Sequence, residues 1–225
     1  MKILQLIDTL RSGGKERQLV EVLKFLSREE DITSELIVMS DDIHYNYIDN
    51  LNIKTWQIIR KYKKDLSVFY KFYKLFKETR PDIIHSWNHM CSVYAVFAAK
   101  MLGIKFVNGF LQDVPPNFSI KNKEWIRAKL TFPFSDKIAT NSYAGLKAYN
   151  VPENKGVCLH NGFDFNRIQS LDTKESVRKR LDINTKFVVG MVATFSDKKD
   201  YATFVNAAHL ILEKRNDVTF VAIGD

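Results

Sequence analysis

Four short stretches of the chain hold residue types that could do chemistry. The first is "SGGKERQ", where Gly13 and Gly14 follow a run of branched apolar residues and precede Lys15, Glu16 and Arg17. Glycines there let a ligand approach bare backbone N–H groups, and a helix beginning beyond them adds partial positive charge. Together these suit a phosphate, although a tight turn accounts for a glycine pair equally well. The second is "HSWNHM", with His85 and His89 four apart and Asn88 between them. No third ligand accompanies the histidines, so no metal site is expected; a polar cleft lining is, with His85 or Asn88 facing substrate. The third, "LHNGFD", contains Asn161-Gly162, which favours a turn and suits a hinge. The fourth, "FSDKKDY", sets Lys198 and Lys199 between a predicted strand and a predicted helix. An ammonium there can meet a diphosphate or simply face solvent.

The elements that must position these residues alternate along the chain. "KILQLI", "SELIVM", "KTWQII", "DIIHSW", "KFVNGF" and "DKIATN" predict strands. Helical spacing is expected around Glu16–Ser27, Leu66–Thr79, Val93–Met101, Glu124–Leu130 and Tyr143–Tyr149. This β-then-α repetition predicts an α/β fold, a Rossmann-like parallel sheet with helices on both faces. Ligands of such sheets bind beyond the carboxyl ends of the strands. Gly13-Gly14, His85 and Asn141-Ser142 all follow predicted strands and should therefore share one rim. After "GVCLHNGFDFNRI" the pattern restarts with "KESVRKRL", "KFVVGMVA", "YATFVNAAHLILEKR" and "VTFVAIG". A domain boundary between residues 164 and 165 follows, with 1–164 as one domain and 165–225 as the beginning of a second. Two strands make a marginal core, so the second domain is expected to be incomplete.

Composition narrows the classes. The chain of 225 residues is 45% hydrophobic and 27% charged, as ordinary folded proteins are. Cys91 and Cys158 form no metal or disulfide pattern, which points to a reducing, cytoplasmic setting. Met1–Ile7 predicts a buried strand and not a secretory leader, and no apolar run is long enough to span a bilayer. The net charge is +8, and residues 60–80 hold eight basic residues against two acidic ones. At about 100° per residue, Leu66, Val68, Phe69, Phe72, Tyr73, Leu75 and Phe76 share one half of that helix. Lys71, Lys74 and Lys77 share the other half with Tyr70. A solvated face and weak contact with anionic lipid both fit. Nucleic acid is not expected, because the aromatics lie on the face predicted to be buried.

Taken in order, "GGKERQLVEVLKFL", "RPDIIHSW", "IATNSYAGLKAY", "CLHNGFDFNRI" and "VVGMVATFSDKKDYATFVNAAHLI" resemble the corresponding segments of the GT4 family, retaining glycosyltransferases of the GT-B fold. The likeness runs over the whole chain. It implies an acceptor-binding N-terminal domain, then a nucleotide-sugar-binding domain of which 165–225 would be the start. Gly13, Gly14 and Lys199 would bind the donor diphosphate. His85 and Asp113 are candidate catalytic groups, and Arg17, Asn88, Asn141 and Ser142 candidates for the acceptor cleft. Asn161 and Gly162 would form the hinge. The reaction implied is retaining, hexosyltransferase-type and metal-independent, with no cofactor. The acceptor would be a glycan or lipid-linked sugar, built into surface polysaccharide at the inner membrane face. Three departures stand out: Thr194 replaces the arginine of "VARLxxxK", Asn108-Gly109 replaces a histidine, and the acidic ExxxxxxxE segment is absent. These 225 residues alone are therefore expected to be inactive and to bind no nucleotide-sugar appreciably. The alternatives are an inactive glycan-binding module and a nucleotide-sugar epimerase of the same fold.

Overall fold

The computed structural model describes residues 1–109 and 121–224, the side chains of residues 46, 47, 49 and 198 excepted. It divides into two compact units, Met1–Asp164 and Phe165–Asp225. The first unit is built on a seven-stranded sheet. Its strands are β1 (Lys2–Ile7), β2 (Thr33–Val38), β3 (Lys54–Gln57), β4 (Ile83–Ser86), β5 (Lys105–Gly109), β6 (Lys137–Thr140) and β7 (Gly156–Cys158). They run in the order β3-β2-β1-β4-β5-β6-β7, every neighbouring pair parallel. The helices between them are α1 (Gly14–Leu26), α2 (Ser67–Thr79), α3 (His89–Met101), α4 (Lys123–Thr131) and α5 (Tyr143–Ala148).

Strand alternation sends successive side chains to opposite faces. Leu4 and Leu6 of β1 and Ile37 of β2 pack with Val68, Phe72 and Phe76 of α2 and with α3. Ile7, Leu36 and Val38 turn the other way, onto Leu19, Val20 and Leu23 of α1. Both faces of the sheet are thus covered. Leu66 departs from its expected place. It stands one residue before α2 as its N-cap and is 71% exposed, so it joins no core. Helix α3 begins four residues earlier than its apolar spacing predicts, because the Asn88 side chain caps it, Oδ1 accepting from Cys91 N at 2.8 Å.

The strand order reverses between β1 and β4, since β1 is followed by β2 on one side and bordered by β4 on the other. A crevice opens beyond the carboxyl ends of the strands at such a reversal. The loops that leave β1 and β4 there are the ones carrying Gly13-Gly14 and Trp87-Asn88.

The second unit holds α6 (Lys174–Arg180), β8 (Phe187–Val192), α7 (Tyr201–Leu212) and β9 (Val218–Ile223). β8 and β9 pair in parallel, and Phe204 of α7 packs edge-on against Phe220 of β9. Among the described residues, no helix is long and apolar enough to cross a membrane.

Candidate functional site

The two glycines after β1 do different things. Gly13 is the N-cap of α1, with extended backbone at φ −166° that any residue adopts. Its missing side chain matters because Glu16, three residues into the turn, folds its carboxyl back over it. A Cβ on Gly13 would collide with that carboxyl. A Cβ on Gly14 would meet nothing within 4 Å. The open approach to the helix N-terminus is therefore over Gly14, the first helical residue. Lys15 turns away from this opening. Burial pulls its pKa down, but the Asp8 carboxylate at 2.5 Å and Glu16 at 3.2 Å outweigh that and leave it raised. It stays charged and ties the turn to the end of β1.

A second brace comes from the segment after β2. Ser12 N donates to His44 Nδ1 at 3.2 Å, so the proton of the neutral ring sits on Nε2, 2.9 Å from Asp42. Arg11 bonds the same carboxylate. That bond, with the Arg11 charge and the His44 Nε2–H bond, holds Asp42 below the usual carboxylate range against the opposing effect of desolvation.

Beyond β4–β7 on the same rim lies a cavity of about 310 Å³. Gln18, His85, Trp87, Thr140 and His160 are among its lining groups, and Asn161 and Gly162 close one side. The His85 and Trp87 rings are 4.9 Å apart. Burial lowers the His85 pKa to about 4, so the ring is neutral at neutral pH. Gly109 makes room for it, since a Cβ there would come within 2.9 Å of His85 Nε2 and 2.8 Å of Ser86 O. Across the cavity, His160 Nδ1 lies 3.0 Å from Asn141 O. A carbonyl only accepts, so Nδ1 carries the proton of the neutral ring and Nε2 offers a lone pair.

The other predicted residues fall elsewhere. Asn88 is buried and uses its side chain as the α3 cap. Ser142 caps α5, its Oγ accepting from Gly145 N at 3.1 Å. Neither lines the cavity, nor does Asn141, whose carbonyl instead holds the ring of the lining residue His160. Arg17 lies exposed on α1, outside the cavity lining. Asp113 lies outside the described residues. Asn108 points into the interior, where Oδ1 accepts from Ser92 Oγ and Nδ2 donates to Thr131 Oγ1, each at 2.8 Å. In the second unit, Lys199 is exposed at the end of a short 3-10 turn, Asp197–Lys199, just before α7. No cluster of His, Cys, Asp and Glu fit to hold a metal occurs among the described residues. A larger hollow, about 830 Å³, opens at the opposite rim beside Lys77, Arg80 and Lys105. Lys77 and Arg80 stand at the carboxyl end of α2 and complement its dipole, and Lys105 opens β5.

The family model of glycosyltransferase family 4 matches residues 12–167. The chain belongs to that family. The match takes in the glycine turn, the cavity and the chain as far as the start of the second unit. Solved structures place this family 4 chain in the GT-B fold. Anabaena HepE, solved with UDP and glucose, superposes with a TM-score of 0.77 at 20% identity, covering 100% of this chain and 61% of HepE. A glycosyltransferase from Rickettsia africae gives 0.70 at 19% identity over 100% of this chain and 68% of its own. The UDP-GlcNAc 2-epimerase of Neisseria meningitidis, bound to UDP-GlcNAc, gives 0.64 at 14%, covering 99% and 65%. The chain thus spans about three fifths of the length of HepE. Comparison with curated protein sequences gives no match.

Among the residues lining this cavity, Gln18, Trp87 and His160 were not picked out by sequence. For Trp87 and His160 a signal existed, because each closely follows a strand at the rim where His85 was sought. Gln18 had none, since its partner lies 144 residues away.

Proposed function

We propose that the chain is the acceptor-binding part, with the start of the donor-binding part, of a retaining glycosyltransferase that uses a nucleotide-sugar. The observation that carries this reading is the open face of Gly14 at the N-terminus of α1, on the rim where the strand order reverses. Departure of a nucleoside diphosphate develops negative charge on its oxygens. Preorganised N–H groups and a cation stabilise that charge without a metal. The α1 N-terminus, open over Gly14, supplies such donors. Family membership and the UDP-bound neighbours support a nucleotide-sugar as donor.

The acceptor, a glycan or lipid-linked sugar, occupies the cavity beside His85 and His160. There the lone pair of His160 Nε2 accepts a hydroxyl hydrogen, and neutral His85, packed at a tilt against Trp87, offers a polar wall. The lysine face of α2, at Lys71, Lys74 and Lys77, holds the protein against anionic lipid on the cytoplasmic side of a membrane, where surface polysaccharide is assembled. A second reading, epimerisation of a nucleotide-sugar, is favoured by the likeness to the Neisseria epimerase. Incubating the full-length protein with UDP-glucose or UDP-GlcNAc, with and without lipid-linked acceptors, separates the two. Transfer appears as a sugar-bearing acceptor with retained configuration, and epimerisation as an altered sugar still on UDP. Neither product would overturn both.

A further inference from the structure

The chain leaves the first unit through residues 159–164, and this strap is fastened by a series of bonds. Leu159 N donates to Thr140 O at 2.8 Å, and His160 Nδ1 bonds Asn141 O at 3.0 Å. Beyond these, Asp164 lies 3.9 Å from Lys24 Nζ of α1, and between them comes a pair. Gln18 Nε2 donates to Gly162 O at 3.0 Å, while Gly162 N donates to Gln18 Oε1 at 3.1 Å. One carboxamide thus reads both polar groups of one glycine, as a neighbouring strand would. At neutral pH a carboxamide offers a donor and an acceptor side by side without charge, as a carboxylate does not, and Gln18 lies one turn beyond Gly14 on α1.

We propose that Gln18 is a positioning residue, a latch that holds the strap against α1 and so preforms the wall of the cavity. Its importance for catalysis rests on the reading of that cavity as the acceptor site. Gly162 then belongs mechanically to the first unit. The pivot lies beyond it, toward the boundary at Asp164–Phe165, and not at Asn161-Gly162. Because α1 also carries the glycine turn, displacing the strap pulls on the helix that presents Gly14.

Amide hydrogen exchange at Gly162 in the full-length chain tests this without any substrate. Gln18→Met keeps the shape and removes both bonds, and should speed exchange at Gly162 about tenfold with amides of β4–β6 unchanged. Gln18→Glu keeps the acceptor but sets a carboxylate against Gly162 O. After correction for intrinsic rates, its protection should be intermediate at pH 7. It should rise toward wild type as pH falls through the ordinary glutamate range near about 4.3, where the protonated carboxyl donates again. A packing role alone would show no such titration. Unchanged exchange in Gln18→Met, or protection in Gln18→Glu that ignores pH, overturns the latch. Absence of sugar transfer leaves this result untouched, so the two readings can fail separately.

Discussion

Replacing the two adjacent glycines by alanine should give opposite stability changes. At Gly14 an added methyl meets nothing within 4 Å, and alanine is favoured over glycine inside a helix by about 0.5–1 kcal/mol. Gly14 stands at the first helical position, so about 0.5 kcal/mol of stabilisation is expected from Gly14→Ala. At Gly13 the methyl collides with the Glu16 carboxyl. That side chain must swing away and give up its place at the helix N-terminus, a position worth about 0.3–1 kcal/mol. Gly13→Ala should therefore destabilise by up to about 1 kcal/mol. Function should follow a different order. A methyl on Gly14 blocks the approach to the N–H groups, and a bond to a charged oxygen contributes about 1.5–3 kcal/mol. Binding of UDP-glucose to the full-length chain should weaken about 10- to 100-fold. Urea titration reads the stabilities, and calorimetry the affinity. If Gly14→Ala costs more than about 1 kcal/mol, or leaves affinity unchanged, the open face was misread.

Further outcomes are expected elsewhere. Asn108→Leu removes one buried partner from each of Ser92 and Thr131, which keep the acceptors Asn88 O and Arg127 O, and the lost bonds should cost about 1–2 kcal/mol in urea unfolding; a neutral result would mean that the network contributes nothing. His89 is buried against Phe132 and Tyr149, and burial, aided by Arg127, lowers its pKa from 6.5 to about 3. The unfolded chain binds this proton first, so stability is full above about pH 6.5 and falls with pH toward 3, by about 1.4 kcal/mol per pH unit. His89→Phe should flatten the loss between pH 6.5 and 4.5, where unfolding midpoints check it; an unchanged slope would place the acid sensitivity elsewhere. Reversing charge at Lys71, Lys74 and Lys77 should lower sedimentation with phosphatidylserine vesicles at least tenfold, at about 1 kcal/mol per lysine, and unchanged sedimentation would remove the membrane contact.

Much of the fold is legible in the sequence because branched residues and turn residues alternate sharply. "KILQLI" coincides with β1, and the strands that follow depart from their predicted ends by a residue or two. The misplacements have local causes. The start of α3 was hidden because Asn88 looks like a cleft residue and acts as a cap. Leu66 looks apolar enough for the core but stands outside the helical turn that would have buried it. The site was legible only as a rim. Sequence could gather Gly13-Gly14, His85 and Asn141 there, since each follows a strand. It could not tell Gly13, which accommodates Glu16, from Gly14, which faces open space. Nor could it show that Asn108 is spent on an internal network while Gly109 yields space to His85. The Gln18–Gly162 pair depends on tertiary folding alone.

A structure of the full-length protein with an intact nucleotide-sugar would show directly whether the open N-terminus of α1 receives the diphosphate. A diphosphate oxygen should lie within hydrogen-bonding distance of Gly14 N, with the 310 Å³ cavity left for an acceptor. A diphosphate bound elsewhere, with nothing over Gly14, would contradict it.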